Sequence, residues 1–194
     1  MPSDIDPQSG MRLPLPKFED LDEIQKKGWA RGTTPGATMM GLQGPAGIQL
    51  YTKGALHVQA LNKYLRFESG ISPRIREIAI LTTARAMDSQ FEWAAHEPEA
   101  LNVGVPPDVV EAIKHRRSTE GLDEADAVVV ELGRQIWRDH QVKSETFAKA
   151  NAIFGPHMLI DIVMLMGNYA STAALLHAVD MQLHKGLKPL LPMP

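Results

Sequence analysis

From Gly47 onward the apolar residues recur at the three-to-four-residue spacing of amphipathic helices. Ile48, Leu50, Tyr51, Leu56, Val58, Leu61 and Leu65 form the first such run, which stops at Ser69-Gly70. Ser72-Pro73 reads as an N-cap followed by proline at the first helical position, opening a helix over 74–87 that buries Ile75, Ile78, Ala79, Leu81 and Thr82. A further helix is predicted over 90–104, with a kink or break at Pro98. Pro106-Pro107-Asp108 opens a short helix over 109–115, and Asp123 caps a long amphipathic run over 125–140. Ser144 caps a run to Phe154 that Gly155 terminates, and the last helix spans about residues 157–184. Its first part, Leu159 to Met166, is apolar on most sides, which predicts burial inside the domain or between subunits. No strand pattern is convincing. The expected fold is all-α, with about seven or eight helices.

The preceding residues differ in character. Pro14, Pro16, Gly32, Pro35, Gly36, Gly41, Gly44 and Pro45 punctuate an arm, residues 1–46, that is expected to be mostly irregular apart from a short helix near 21–29. Trp29 and the pair Met39-Met40 are odd choices for a solvated tail, so the arm is expected to drape over the body or a neighbouring subunit. Residues 47–186 make the helical domain and 187–194 a proline-rich tail.

Composition narrows the class further. A net charge of −3 builds no field for nucleic acid. The absence of cysteine removes disulfides, thiolate nucleophiles and thiolate metal ligands. The first residues lack the basic and apolar regions of a signal peptide, and no stretch approaches the roughly 20 uninterrupted apolar residues of a membrane span. The expectation is a cytoplasmic protein with neither nucleic-acid nor membrane partners.

Candidate chemistry concentrates in the segment 88–97. On a helix, Ser89, Glu92 and His96 are spaced i, i+3, i+7 and share one stripe, beside Phe91, Trp93, Ala94 and Ala95. A carboxylate next to an imidazole in a half-buried setting has the parts of an acid–base pair. The same spacing also occurs in plain surface pairs of little energetic weight.

The run Arg76-Glu77-Ile78-Ala79-Ile80-Leu81, followed by Phe91-Glu92-Trp93-Ala94-Ala95-His96-Glu97, resembles the carboxymuconolactone decarboxylase family, related to the AhpD-like alkylhydroperoxidases. The resemblance spans roughly residues 50–185, is strongest over 74–104, and implies the AhpD-like all-helical fold. It also implies a homo-oligomer, a trimer or hexamer. The peroxidase branch carries Cys-x-x-Cys-x-x-x-His preceded by a Glu. Here the Glu falls on Glu77 and the His on His96, while Ser89 and Glu92 occupy the cysteine positions. The likeness therefore points to the non-redox, decarboxylase side of the family, with no cofactor.

The expected catalytic residues are His96 as acid–base, Glu92 as its partner and Glu77 as the group orienting the imidazole. Arg85, two turns beyond Glu77, is a candidate carboxylate anchor. Tyr169 and His177, which interrupt the apolar last helix, are candidates for the same cavity, as are Trp93 and Ser89. A divalent metal on Glu92, His96 and His177 is the weaker alternative, because no second ligand motif completes it. The expected function is a cofactor-free lyase or isomerase for a small carboxylated lactone or unsaturated acid. The alternatives are a non-catalytic binding oligomer, or a hydratase or hydrolase using the same pair.

Overall fold

The computed structural model describes residues 2–36 and 39–192, so the last two residues of the proline-rich tail lie outside the described residues. These form eight α-helices and no strand. They are α1 (Glu23–Thr33), α2 (Pro45–Gln49), α3 (Ala55–Lys63), α4 (Pro73–Ala86), α5 (Gln90–Asn102), α6 (Pro107–Lys114), α7 (Glu124–Arg134) and α8 (Ser144–Ala178). Both α3 and α7 run on into a π-helical turn, Tyr64–Glu68 and Gln135–Asp139 respectively. The chain has the all-helical architecture expected from its pattern.

Helix α4 is the axis of the fold, packed against α5, α6, α7 and α8. Every residue from Ile75 to Arg85 is buried, so no face of it is left for water. Its start follows the expected rule, with the Ser72 hydroxyl accepting from the Ile75 amide. Gly133 lets α7 approach closely, because a β-carbon there would lie 2.5 Å from Thr82 Cγ2.

The boundaries depart from the pattern in four places. The run 48–65 is divided into α2 and α3 by residues 50–54. Helix α5 passes through Pro98, which sits on its exposed side, without interruption. The stop at Gly155 is present in the backbone (φ 73°, ψ 166°), yet the helices on either side abut and continue as α8, which ends at Ala178. Joined in this way, α8 is long and apolar enough to cross a membrane by length and composition, unlike the expectation that nothing approaches such a span. That expectation counted uninterrupted apolar residues, and Asp161 and Asn168 interrupt the helix. Within the fold, Leu159, Ile162, Leu165, Met166, Tyr169 and Ala173 form a buried stripe on α8.

The arm drapes over the body of its own chain. The Arg12 amide donates to the Val179 carbonyl at 2.8 Å, and the Gln182 amide to Gly10 at 2.8 Å. Met11 enters a second small core with Ile48, Phe91, Leu176, Val179 and Met181. The expected short helix of the arm is α1, which carries a capping box between Asp22 and Gln25. From the other end, the Gln90 side chain binds the backbone of Leu190 and Leu191. Both termini thus converge on the beginning of α5.

Candidate active site

The face of α5 made by Phe91, Glu92, Ala95 and His96 borders a cavity of about 580 Å³. Val58, Gln59 and Asn62 of α3 form another wall, with Arg66 and Phe67 from the π-turn. Tyr169 and Thr172 of α8 close one side, and Gly28, Arg31, Met40, Pro45, Ala46 and Gln49, from α1 to α2, close another. A large part of the lining therefore comes from the arm and α2.

His96 is buried, and its Nδ1 lies 2.7 Å from Oε2 of Glu77, which is wholly inaccessible. The second Glu77 oxygen accepts from Arg76 Nε at 3.0 Å, and Arg76 Nη1 donates to the Arg66 carbonyl at 2.9 Å. Burial alone would raise the Glu77 carboxyl, but its contacts with His96 and Arg76 outweigh that and hold it below its ordinary value. Glu77 thereby fixes the orientation of the imidazole ring. With Nδ1 engaged, Nε2 is the nitrogen left for the cavity. The Tyr169 ring meets His96 edge-on, with centroids 5.2 Å apart. Its phenol is held protonated by burial.

Glu92 sits one turn before His96 under different conditions. Neither carboxyl oxygen has a hydrogen-bond partner, and both are buried. Burial pushes this carboxyl up to about 8, opposed weakly by the neighbouring Ser89 hydroxyl, which does not reach hydrogen-bond geometry. At neutral pH Glu92 is thus largely a neutral acid, and Glu77 an anion. Two carboxyls whose environments drive them apart in this way are the usual arrangement for an acid and a base in one site.

The structure reassigns several of the expected roles. The hydrogen-bonded partner of His96 is Glu77, the expected orienter, while Glu92 shares the cavity without pairing to the imidazole. Arg85 does not border the cavity. It is buried beside Asp88, with which it forms an ion pair, because α4 is enclosed on all sides and its far end points elsewhere. Trp93 is a core residue whose Nε1 donates to Glu97 at 2.5 Å. Ser89 occupies the N-cap position of α5, buried but outside the lining. His177 lies exposed near the end of α8, away from the cavity. Among the described residues, no group of three or more His, Cys, Asp or Glu side chains could hold a metal. Arg31, Arg66, Phe67, Met40 and Gln49, which no motif singled out, do line the cavity.

Residues 55–131 match the carboxymuconolactone decarboxylase family. The matched segment contains α4, α5 and the walls from α3, but neither the arm nor α8. No curated protein matches the chain.

Proposed function

Taking residues 55–131 as a carboxymuconolactone decarboxylase family segment, we propose that the protein is a cofactor-free lyase that decarboxylates a small carboxylated lactone or related unsaturated acid. One observation carries this reading: a neutral, unpartnered Glu92 and a His96 oriented by Glu77 border the same cavity. In a vinylogous keto-acid, the bond to the departing carboxylate breaks and its electron pair moves into the conjugated carbonyl. Such a step needs a hydrogen bond to the developing dienolate oxygen and one proton delivered to carbon. Glu92 supplies the hydrogen bond, and His96, its ring oriented by Glu77, delivers the proton from Nε2. Glu77 acts through His96 and is a positioning residue. Isomerisation of an unsaturated acid would use the same groups, with the proton first removed from one carbon and then returned to another.

The experiment is a panel of unsaturated keto-acids and carboxylated lactones, followed by carbon dioxide release and loss of conjugated absorbance. Turnover that tracks His96 supports the proposal. A panel in which only hydration or ester hydrolysis occurs defeats it. With no thiol in the chain, purified protein is expected to show no dithiol-dependent hydroperoxide reduction; sustained turnover of that kind would overturn the non-redox reading.

We further propose that the protein functions as a homo-oligomer, a trimer or hexamer. Met164 and Leu175 stay exposed on α8 and border one recess with Leu61 and Val58 of α3, an apolar face beyond scattered single residues. Light scattering over a concentration series is expected to give a mass well above that of one chain, and a monomer at micromolar concentration contradicts it.

A further inference from the structure

The cavity holds a cation for which the chemistry above has no task. Arg66 enters from the π-turn after α3, and among the described residues it forms no ion pair with a carboxylate. Its Nε is buried without a hydrogen-bond partner, and one terminal nitrogen rests 3.8 Å from the sulfur of Met39. The guanidinium lies over the Phe67 ring, 5.0 Å from its centroid. Arg76, by contrast, is occupied by Glu77. The two arginines are nevertheless linked, because Arg76 donates to the Arg66 carbonyl. The guanidinium that fixes Glu77 therefore also fixes the backbone that presents Arg66, and the dyad and the free cation are held in one register.

The charges around the cavity point the same way. Among the described residues its ionisable lining consists of Arg31, Arg66, Glu92, His96 and Tyr169, with Glu92 the only carboxyl. That carboxyl is largely uncharged near neutrality, and the Glu77 behind His96 is offset by Arg76. The interior is thus positive, with apolar surface from Phe91, Met40 and Val58 around it. A stacked guanidinium with an unused donor on an apolar wall matches a planar carboxylate on a flat, unsaturated body.

We propose that Arg66 is the substrate's anchor, binding a carboxylate of a planar unsaturated acid while the reacting carbons lie against His96 and Glu92. Arg31, exposed on α1 at the cavity's edge, adds longer-range attraction. An arginine pair stabilises the anion it holds and so opposes its departure; the carboxylate on Arg66 is therefore not the one that leaves. This inference rests on reading the cavity as the substrate site, but it makes a claim about binding that is separable from turnover.

The test is isothermal titration of the full chain with benzoate and with benzamide, a neutral ligand of nearly the same shape, near pH 6.5 at low salt. Benzoate is expected to bind at least roughly tenfold more tightly than benzamide, and Arg66→Gln to erase that preference. Arg66→Lys keeps the charge but loses the planar fork, so it is expected to weaken benzoate while retaining the preference over benzamide; it serves even if the glutamine variant folds poorly. Arg31→Gln is expected to have the smaller effect. Benzoate selectivity that depends on Arg66, with no turnover of the panel above, would defeat the catalytic reading and leave the anchor standing, which separates the two. Equal binding of the two ligands, no benzoate binding, or an Arg66→Gln variant as selective as the parent overturns the proposal.

Discussion

Replacing His96→Gln is expected to lower turnover of the true substrate by roughly 100-fold or more, the scale of lost acid–base catalysis. The substitution is chosen because it preserves most of what His96 does for the fold. A glutamine amide can still donate to Glu77, whose other oxygen remains bonded to Arg76, so the buried carboxylate is not orphaned. It removes the imidazole that can carry a proton to and from the cavity. The helical circular-dichroism signal and the oligomer should therefore survive while the rate falls. The size of the loss also ranks the two candidate donors. If His96 delivers the proton to carbon, the variant falls by the full factor at every pH. If Glu92 does so and His96 only shapes the site, the loss is small. A variant as active as the parent removes His96 from the mechanism.

Much of this arrangement was legible in the chain, and what was hidden has physical causes. The proline after Ser72 and the apolar run behind it placed α4 correctly, and local spacing put Glu92 and His96 on one face of α5. The inter-helix contact between Glu77 and His96 could be suggested by likeness to a family motif, but spacing alone does not reveal it. Nothing in the local pattern marks Glu77 as buried, and only the enclosure of α4 makes it inaccessible. The same enclosure misled the reading of Arg85: sharing a face with Glu77 means little on a helix buried all round, because each turn meets a different neighbour. His177 misled in the opposite way, since a polar interruption of an apolar helix can mark its exposed side as easily as a cavity. Arg66 gave no sequence signal. The π-turn over residues 64–68 shifts the register at which α3 presents its side chains, and such turns, frequent at functional sites, have no dependable sequence signature.

The largest expected effect on stability belongs to Glu92→Gln, and its direction is opposite to its effect on function. The Glu92 carboxyl is pushed by burial up to about 8 in the folded protein, against an ordinary value of 4.5. Below the ordinary value, both folded and unfolded chains hold the proton, and the site costs the fold nothing in this respect. Between the two values the unfolded chain releases the proton while the folded chain keeps it. Folded stability then falls as pH rises, at about 1.4 kcal/mol per pH unit. Above the folded value the loss is complete, on the order of 3–5 kcal/mol. A glutamine binds no proton in either state, so it removes this slope. Denaturant titrations at a series of pH values should show the parent losing stability from pH 5 to pH 8 relative to the variant, with Glu92→Gln the more stable protein at the alkaline end. Two parallel pH profiles would mean that Glu92 is not held as a neutral acid. Activity adds the second half of the argument. The glutamine amide can still donate a hydrogen bond to a developing dienolate, but it cannot release a proton. A modest loss of turnover assigns Glu92 to hydrogen bonding, and a loss comparable with that of His96→Gln assigns it a proton transfer of its own. In either case, a buried, unpartnered carboxyl that weakens the fold at working pH finds its explanation in the cavity it borders.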